Sequence, residues 1–412
     1  MAKNNNKNEL RQVPPPAPKP QEKQQFKKVG GTPLGSIAKS SPTYGVPDAH
    51  NKTQEARAKR YALSREIRKA FIKEGQKRFP LIPTKYHRQS LCKWAMTGEM
   101  VDVLKDEATA KAFFTGVQTC GSVWCCPVCA NRIQEVRRQE IARGMAYFYE
   151  LGKQAVMVTL TFPHTLSNSL KELRAMQSEA LKKLRKGNSW DLFKARIGFE
   201  GLIRSLEVTR GGNGWHPHTH ELWFCNSVQD EEEFKKFLVN KWLKACLSVG
   251  LVTDEPAQIK AFLQHSVDVR FNCDSSDYLA KVDDKANWGV DREIAKASSK
   301  LGKAKGMHPF ELAFRGYHNL WIEYAEVFHG QSQLYWSQGL KKRVGIGDKT
   351  DEDIAKEEAQ EEPQFMDTFT KDEWFKILQT EQRANILSWL ENGYNAETVR
   401  SFIFNSEAVK NE

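Results

Sequence analysis

The stretch Trp215-His216-Pro217-His218-Thr219-His220-Glu221-Leu222 decides the fold class. Three of the chain's 10 histidines stand there at alternate positions. In a strand, residues i and i+2 project from one face, so His218 and His220 can meet one ion, and His216 shares that face. Just upstream, Ile203 to Thr209 alternates apolar and polar residues, as a strand with one buried face does. Arg210-Gly211-Gly212-Asn213-Gly214 between them reads as a tight turn. A hairpin through that turn sets the Glu207 carboxylate beside the histidine pair. Two imidazoles and a carboxylate leave positions open on a divalent ion, which can polarise a phosphoryl oxygen. An isolated histidine is usually a surface residue; the alternate spacing opposite a glutamate asks for more. A zinc protease is disfavoured, because no helical H-E-x-x-H pair is present.

Outward from the hairpin, strand and helix signals mix, which predicts an α+β domain. Ala155 to Phe162 is rich in β-branched residues and reads as a strand. Helices are expected over Leu170–Lys186 and Glu231–Val249, with a short strand over Val267–Phe271. From Ser275 the chain reads as helical, opening with Asp277-Tyr278-Leu279-Ala280-Lys281. Tyr278 and Lys281, three apart, share a helix face. A tyrosine hydroxyl near a polarised phosphodiester can attack phosphorus, leaving a 5′-phosphotyrosine and a free 3′-hydroxyl. The lysine can steady the negative charge that develops. A tyrosine on a helix face is ordinarily half-buried core; the histidine strand upstream gives this one its weight.

A second cluster precedes the first. Cys120, Cys125, Cys126 and Cys129 fall within ten residues, and Cys126-Pro127-Val128-Cys129 is a C-x2-C knuckle suited to Zn²⁺. Cys120 is the expected third ligand. Cys92 or Cys125 supplies the fourth, and Cys92 is favoured because adjacent cysteines rarely both ligate one ion. Cys225, Cys246 and Cys273 are scattered and read as core residues.

Composition narrows the field. The 412 residues leave room for two or three domains, and 62 Lys and Arg against 51 Asp and Glu give a net charge of +11. Such a balance favours polyanionic partners, nucleic acid first. No apolar run approaches the ~18 residues of a membrane-spanning helix, and the N-terminus carries no secretory signal pattern. Residues 1–90 hold 20 basic against 6 acidic residues, whereas 348–412 hold 7 basic against 16 acidic.

The ordered set resembles the rolling-circle replication initiators (Rep proteins) of plasmids, in the HUH endonuclease superfamily. Thr159-Leu160-Thr161 with His164 resembles the family's first motif, His218-Thr219-His220 its two-histidine motif, and Tyr278-Leu279-Ala280-Lys281 its tyrosine motif. The segment Cys120–Cys129 is similar to the zinc element that precedes the core in one plasmid branch. Downstream pieces, His308 to Leu312, Leu320 to Tyr324 and Leu334 to Ser337, resemble that branch too. The resemblance covers residues 85–342. Many relatives carry a second tyrosine after the lysine; Val282 stands there, so Tyr278 is the only tyrosine in the motif.

The resemblance implies an antiparallel sheet with the two-histidine strand at its centre, and Mg²⁺ or Mn²⁺ as the catalytic ion. It implies a cytoplasmic bacterial protein, a site-specific single-strand endonuclease and ligase (a nucleotidyltransferase) acting on single- and double-stranded plasmid origin DNA. Asp277 or Asp283 is a candidate to activate a terminating water.

The expected organisation is a disordered basic tail (1–52), a basic helix and linker (53–84), and the zinc element with its following helix (85–150). The catalytic domain (151–345), an acidic linker (346–368) and a small helical unit (369–412) complete it. Arg132, Arg137, Arg138 and Arg143 on the helix after the zinc element are candidate DNA-phosphate contacts. The C-terminal unit is a candidate docking point for a host helicase or polymerase. The competing readings are an HUH transposase or relaxase, and a zinc-containing DNA-binding regulator without catalysis.

Overall fold

The computed structural model describes residues 52–226, 228–273, 306–357 and 362–405. All of them belong to one compact unit, Asp48–Glu412. The basic tail lies outside the described residues, as do Asp277, Tyr278, Lys281 and Asp283.

Among the described residues the fold is α+β, with two antiparallel sheets. The larger has five strands in the order β6-β3-β5-β4-β7. These are β3 (Gln154–Leu160), β4 (Gly201–Gly211), β5 (Gly214–Cys225), β6 (Val267–Arg270) and β7 (Leu334–Trp336). The strand with the alternating histidines, β5, is central. The β4–β5 hairpin turns through Gly212 and Asn213, with Gly211 opposite Gly214. Gly214 has φ +95, and a Cβ there would stand 2.8 Å from the Thr165 carbonyl oxygen, so only glycine fits the turn. Pro217 is tolerated in the central strand because the ladder with β3 stops at Thr219.

Each sheet face has a distinct cover. Helix α2 (Pro127–Glu150) lays Ile141, Met145 and Phe148 against Met157, Ile203, Leu222 and Phe224. These strand residues share a face with His216, His218 and His220, so one sheet face is apolar at one end and polar at the other. Helix α3 (Leu170–Leu184), started by a Ser169–Glu172 capping box, covers the opposite face. The sequence expects one helix to Lys186; the chain instead breaks at Arg185–Gly187 and starts α4 (Asn188–Ile197). Gly187, at φ +88, gives the break its left-handed turn.

The smaller sheet corrects the expected domain plan. It has the order β2-β1-β8, from β1 (Val101–Lys105), β2 (Ala112–Phe114) and β8 (Gln364–Phe369). The stretch read as an acidic linker therefore holds a strand, and also a short helix, α10 (Asp351–Lys356). Helices α7 (Pro309–Phe314), α8 (His318–Val327) and α9 (Leu340–Arg343) lie between the tyrosine segment and that stretch. The C-terminal helices α11 (Lys371–Gln379), α12 (Arg383–Glu391) and α13 (Ala396–Phe404) share one core with the β1–β2 hairpin. Val101, Val103 and Phe114 pack there with Phe369, Trp374, Ile386 and Val399. The long first helix, α1 (Lys52–Arg78), is tied to this body by Arg57, which bonds Glu391 at 2.6 Å.

Candidate metal centres

Strand register builds the first centre. Glu207 on β4 stands opposite His218 on β5, and Thr159 on β3 stands opposite His220. Glu207 Oε2 lies 3.3 Å from His218 Nε2 and 3.1 Å from His220 Nε2. The ligand atoms of Glu207, His218 and His220 all lie within 4.8 Å of one another. The far nitrogens are engaged: His218 Nδ1 faces the His216 carbonyl at 3.2 Å, and His220 Nδ1 faces Thr159 Oγ1 at 3.0 Å. Such outer bonds fix the rings with Nε2 toward an ion. Two imidazoles and one carboxylate fit a divalent cation and leave positions for other ligands.

The electrostatics agree with that donor set. Burial alone would raise the Glu207 carboxyl, but hydrogen bonds and charge from His218 and His220 outweigh it and hold the group well below the usual carboxylate range. Burial would lower His218, yet Glu207 raises it above its ordinary value. His216 stands apart from the group of three. Its Nε2 is turned to Thr161 Oγ1, its ring stacks between His164 at 4.6 Å and His218 at 4.9 Å, and burial pulls it down to about 3. His216, which shares the face as a possible further ligand, is thus a neighbour of the centre with its Nε2 turned to the Thr161 hydroxyl.

Two contributors escape a reading of the sequence. Thr159 sits in a motif that assigns it no role, yet its hydroxyl orients His220. His308 caps α7, is half-buried, and feels the Glu207 charge; burial pulls it down to about 4. Strand register is the available signal for Thr159. His308 heads a segment that resembles the family, His308 to Leu312, but nothing local there ties it to the centre.

The second centre is closed. Cys92, Cys120, Cys126 and Cys129 are all buried with their sulfurs together. Cys92 Sγ lies 3.6 Å from Cys129 Sγ and 3.7 Å from Cys126 Sγ, and Cys120 Sγ lies 3.7 Å from Cys129 Sγ. A tetrahedral Zn²⁺ with bonds of about 2.3 Å has sulfur–sulfur edges of about 3.8 Å, so the four fit zinc. Amide N–H groups of Cys120 and Cys129 point at Cys92 and Cys126 sulfurs, at 3.4 Å and 3.5 Å. Burial pushes the Cys120 and Cys126 thiols up, while hydrogen bonds from its three neighbours hold Cys92 down. Four thiolates together therefore need a cation. Cys125 is not in the group; burial pushes it up to about 12.

The four candidate DNA arginines divide. Arg137 binds Asp351 at 2.8 Å and Glu140 at 2.9 Å, and Arg132 donates to the Glu357 carbonyl. These two hold the acidic segment onto α2. Arg138 pairs with Glu135 at 2.7 Å, and Arg143 is exposed. No helix among the described residues is long and apolar enough to cross a membrane.

Comparison with known proteins adds a family. A model described as "Replication protein" matches residues 111–244. A protein named "Protein rep" from Streptomyces lividans is 26% identical over 320 residues, covering 61% of this chain and 70% of that one. A "Neomycin resistance protein" from Streptomyces cyanogenus is 31% identical over 140 residues, 28% of this chain and 32% of that one. No solved structure matches. The matched region runs from β2 to α5 (Glu231–Leu247) and contains the open metal centre whole. The Glu207–His218–His220 centre lies inside that match, so the similarity to replication proteins includes the residues that build it.

Proposed function

We propose that this chain initiates plasmid replication by nicking one strand at the double-strand origin and later rejoining it. The carrying observation is the convergence of Glu207, His218 and His220 on the central strand pair. Mg²⁺ or Mn²⁺ held there supplies positive charge against the scissile phosphodiester.

The chain's own residues do the rest. Tyr278 loses its hydroxyl proton and its oxygen bonds to phosphorus. The bond from phosphorus to the 3′-oxygen breaks, and that oxygen leaves as a protonated 3′-hydroxyl that primes synthesis. The Lys281 ammonium offsets the charge on the phosphoryl oxygens. Attack by a 3′-hydroxyl on the phosphotyrosine reverses these steps and rejoins the strand. Asp277 or Asp283 activates a terminating water. The four-cysteine centre holds structural Zn²⁺, and Arg138 and Arg143 contact DNA phosphates.

The test is a cleavage assay on single-stranded oligonucleotides tiling the cognate origin, with Mn²⁺ or EDTA, on the wild type and Tyr278→Phe. A metal-dependent covalent adduct that vanishes in the variant is expected. Cleavage that survives the substitution moves the nucleophile elsewhere. Tight origin binding without any adduct makes the chain a zinc-containing DNA-binding regulator.

A further inference from the structure

The sheet face opposite the open metal centre carries an unbalanced charge. Arg204 on β4 stands across from Glu221 on β5, and Arg185 follows α3 over the same face. Glu221 is buried; its Oε2 accepts from Arg185 and, at 2.8 Å, from Trp223 Nε1, while its Oε1 has no hydrogen-bond partner among the described residues. Among the described residues, Arg174 on α3 bonds neutral side chains, Gln177 and, at 3.0 Å, Gln331. Arg204 has no bonded carboxylate among the described residues; its guanidinium lies 4.7 Å over the Tyr335 ring. Three guanidiniums thus gather around Glu221, while the other carboxylate of that face, Glu323, accepts from Trp215 Nε1 at 2.9 Å and the Leu170 amide at 2.8 Å.

Burial makes the imbalance costly. Arg174 and Arg204 are each only partly open to solvent. Burial and then the Arg204 charge pull Arg174 down to about 10, and burial lowers Arg204 as well. Arginine does not relieve such a site by losing its proton near neutral pH; a counter-ion does. Among the described residues, Arg174 Nε, Arg185 Nε and Thr219 Oγ1 are buried there without a hydrogen-bond partner, three donors without an acceptor. Tyr335 remains 47% exposed at the sheet edge, an aromatic surface beside the arginines.

We infer that Arg174 and Arg204 form a phosphate site on the sheet face opposite Glu207, His218 and His220. Its ligand is a phosphodiester of single-stranded DNA whose adjoining base stacks on Tyr335. Phosphate plus a stacking ring is the combination by which proteins hold single strands. The site concerns binding alone, so it stands or falls separately from attack by Tyr278.

The full-length protein, zinc retained and no Mg²⁺ or Mn²⁺ added, tests this with a labelled single-stranded oligonucleotide in a salt series. Each DNA phosphate that the protein ceases to neutralise lowers the slope of log affinity against log salt by about 0.7. Arg174→Gln with Arg204→Gln removes the neutralisation of one phosphate and is therefore expected to lower it by about 0.7. Tyr335→Ala weakens binding with the slope unchanged. In parallel, inorganic phosphate at matched ionic strength raises the melting temperature of the wild type more than that of the double variant. Phosphate-specific stabilisation with an unchanged oligonucleotide slope keeps the site and assigns it to a free phosphate or nucleotide. Absence of both effects overturns the proposal. Should the double variant not fold, phenylglyoxal modification of the wild type decides: phosphate must protect Arg174 and Arg204, and no protection sinks the idea.

Discussion

The two centres use the same general chemistry, side chains converging on a cation, to opposite ends. The four cysteines are enclosed and supply a full tetrahedron. Glu207, His218 and His220 supply three ligands on the central strand pair and keep partial access to solvent. A saturated site can only hold the chain together, whereas an unsaturated one can accept a substrate oxygen. The difference arises from the elements. The cysteines come from a 3₁₀ turn, a loop and a helix start, which need a tie. The other ligands come from one hairpin, which is already tied by its ladder.

That contrast is open to attack, and the largest effect is expected at the closed centre. Cys120→Ser should destabilise the protein by on the order of 4 kcal/mol and release bound zinc. Melting curves and metal analysis check it; an unchanged melting temperature would make the cysteines mere core.

Acid probes the same body next. His87 caps the turn that presents Cys92, stacks on Phe71 at 4.0 Å, and is pulled down to about 4 by burial, with smaller contributions from His329 and Arg88. Above pH 6.5 both folded and unfolded chains hold it neutral. Below 6.5 the unfolded chain takes a proton that the folded one refuses, so stability falls until about pH 4. The loss is at most about 3 kcal/mol. Denaturant midpoints measured against pH should show this slope, and His87→Gln should flatten it; equal slopes would remove His87 from the account.

At the open centre, His218→Ala should weaken Mn²⁺ binding and strand cleavage at least about 100-fold while the melting temperature barely moves. A collapse in stability instead would erase the distinction between the two sites. The mildest change is Thr159→Val, which frees the His220 ring and should cost about 10-fold in Mn²⁺ affinity. Titration calorimetry reads it, and wild-type affinity would show that the ring needs no such support.

The open centre is largely readable in the sequence because its geometry is written locally. A period of two along β5 and a glycine turn before it suffice to place Glu207 against His218. The closed centre is readable in part: the C-x2-C knuckle is local, but Cys92 joins it from 28 residues before Cys120. Pairings over longer distances leave little trace. Gln364-Phe365-Met366-Asp367-Thr368-Phe369 is short and flanked by acids, and its partner β1 lies more than two hundred residues upstream. Asp351 reads as linker charge, yet it is the partner of Arg137.

The pairing of β1 with β8 bears on how the molecule is made. During synthesis, Val101–Lys105 leaves the ribosome long before Gln364–Phe369 exists. For most of that time one edge of the β1–β2 hairpin has no neighbour, and an unpaired edge invites pairing with other chains. A nascent chain can take up zinc through its cysteines well before that edge is closed. That edge can close only once residues 364–369 have left the ribosome. A fragment cut to residues 111–244 would omit β1, β8 and Cys92 together, keeping the open centre but not the body that carries it.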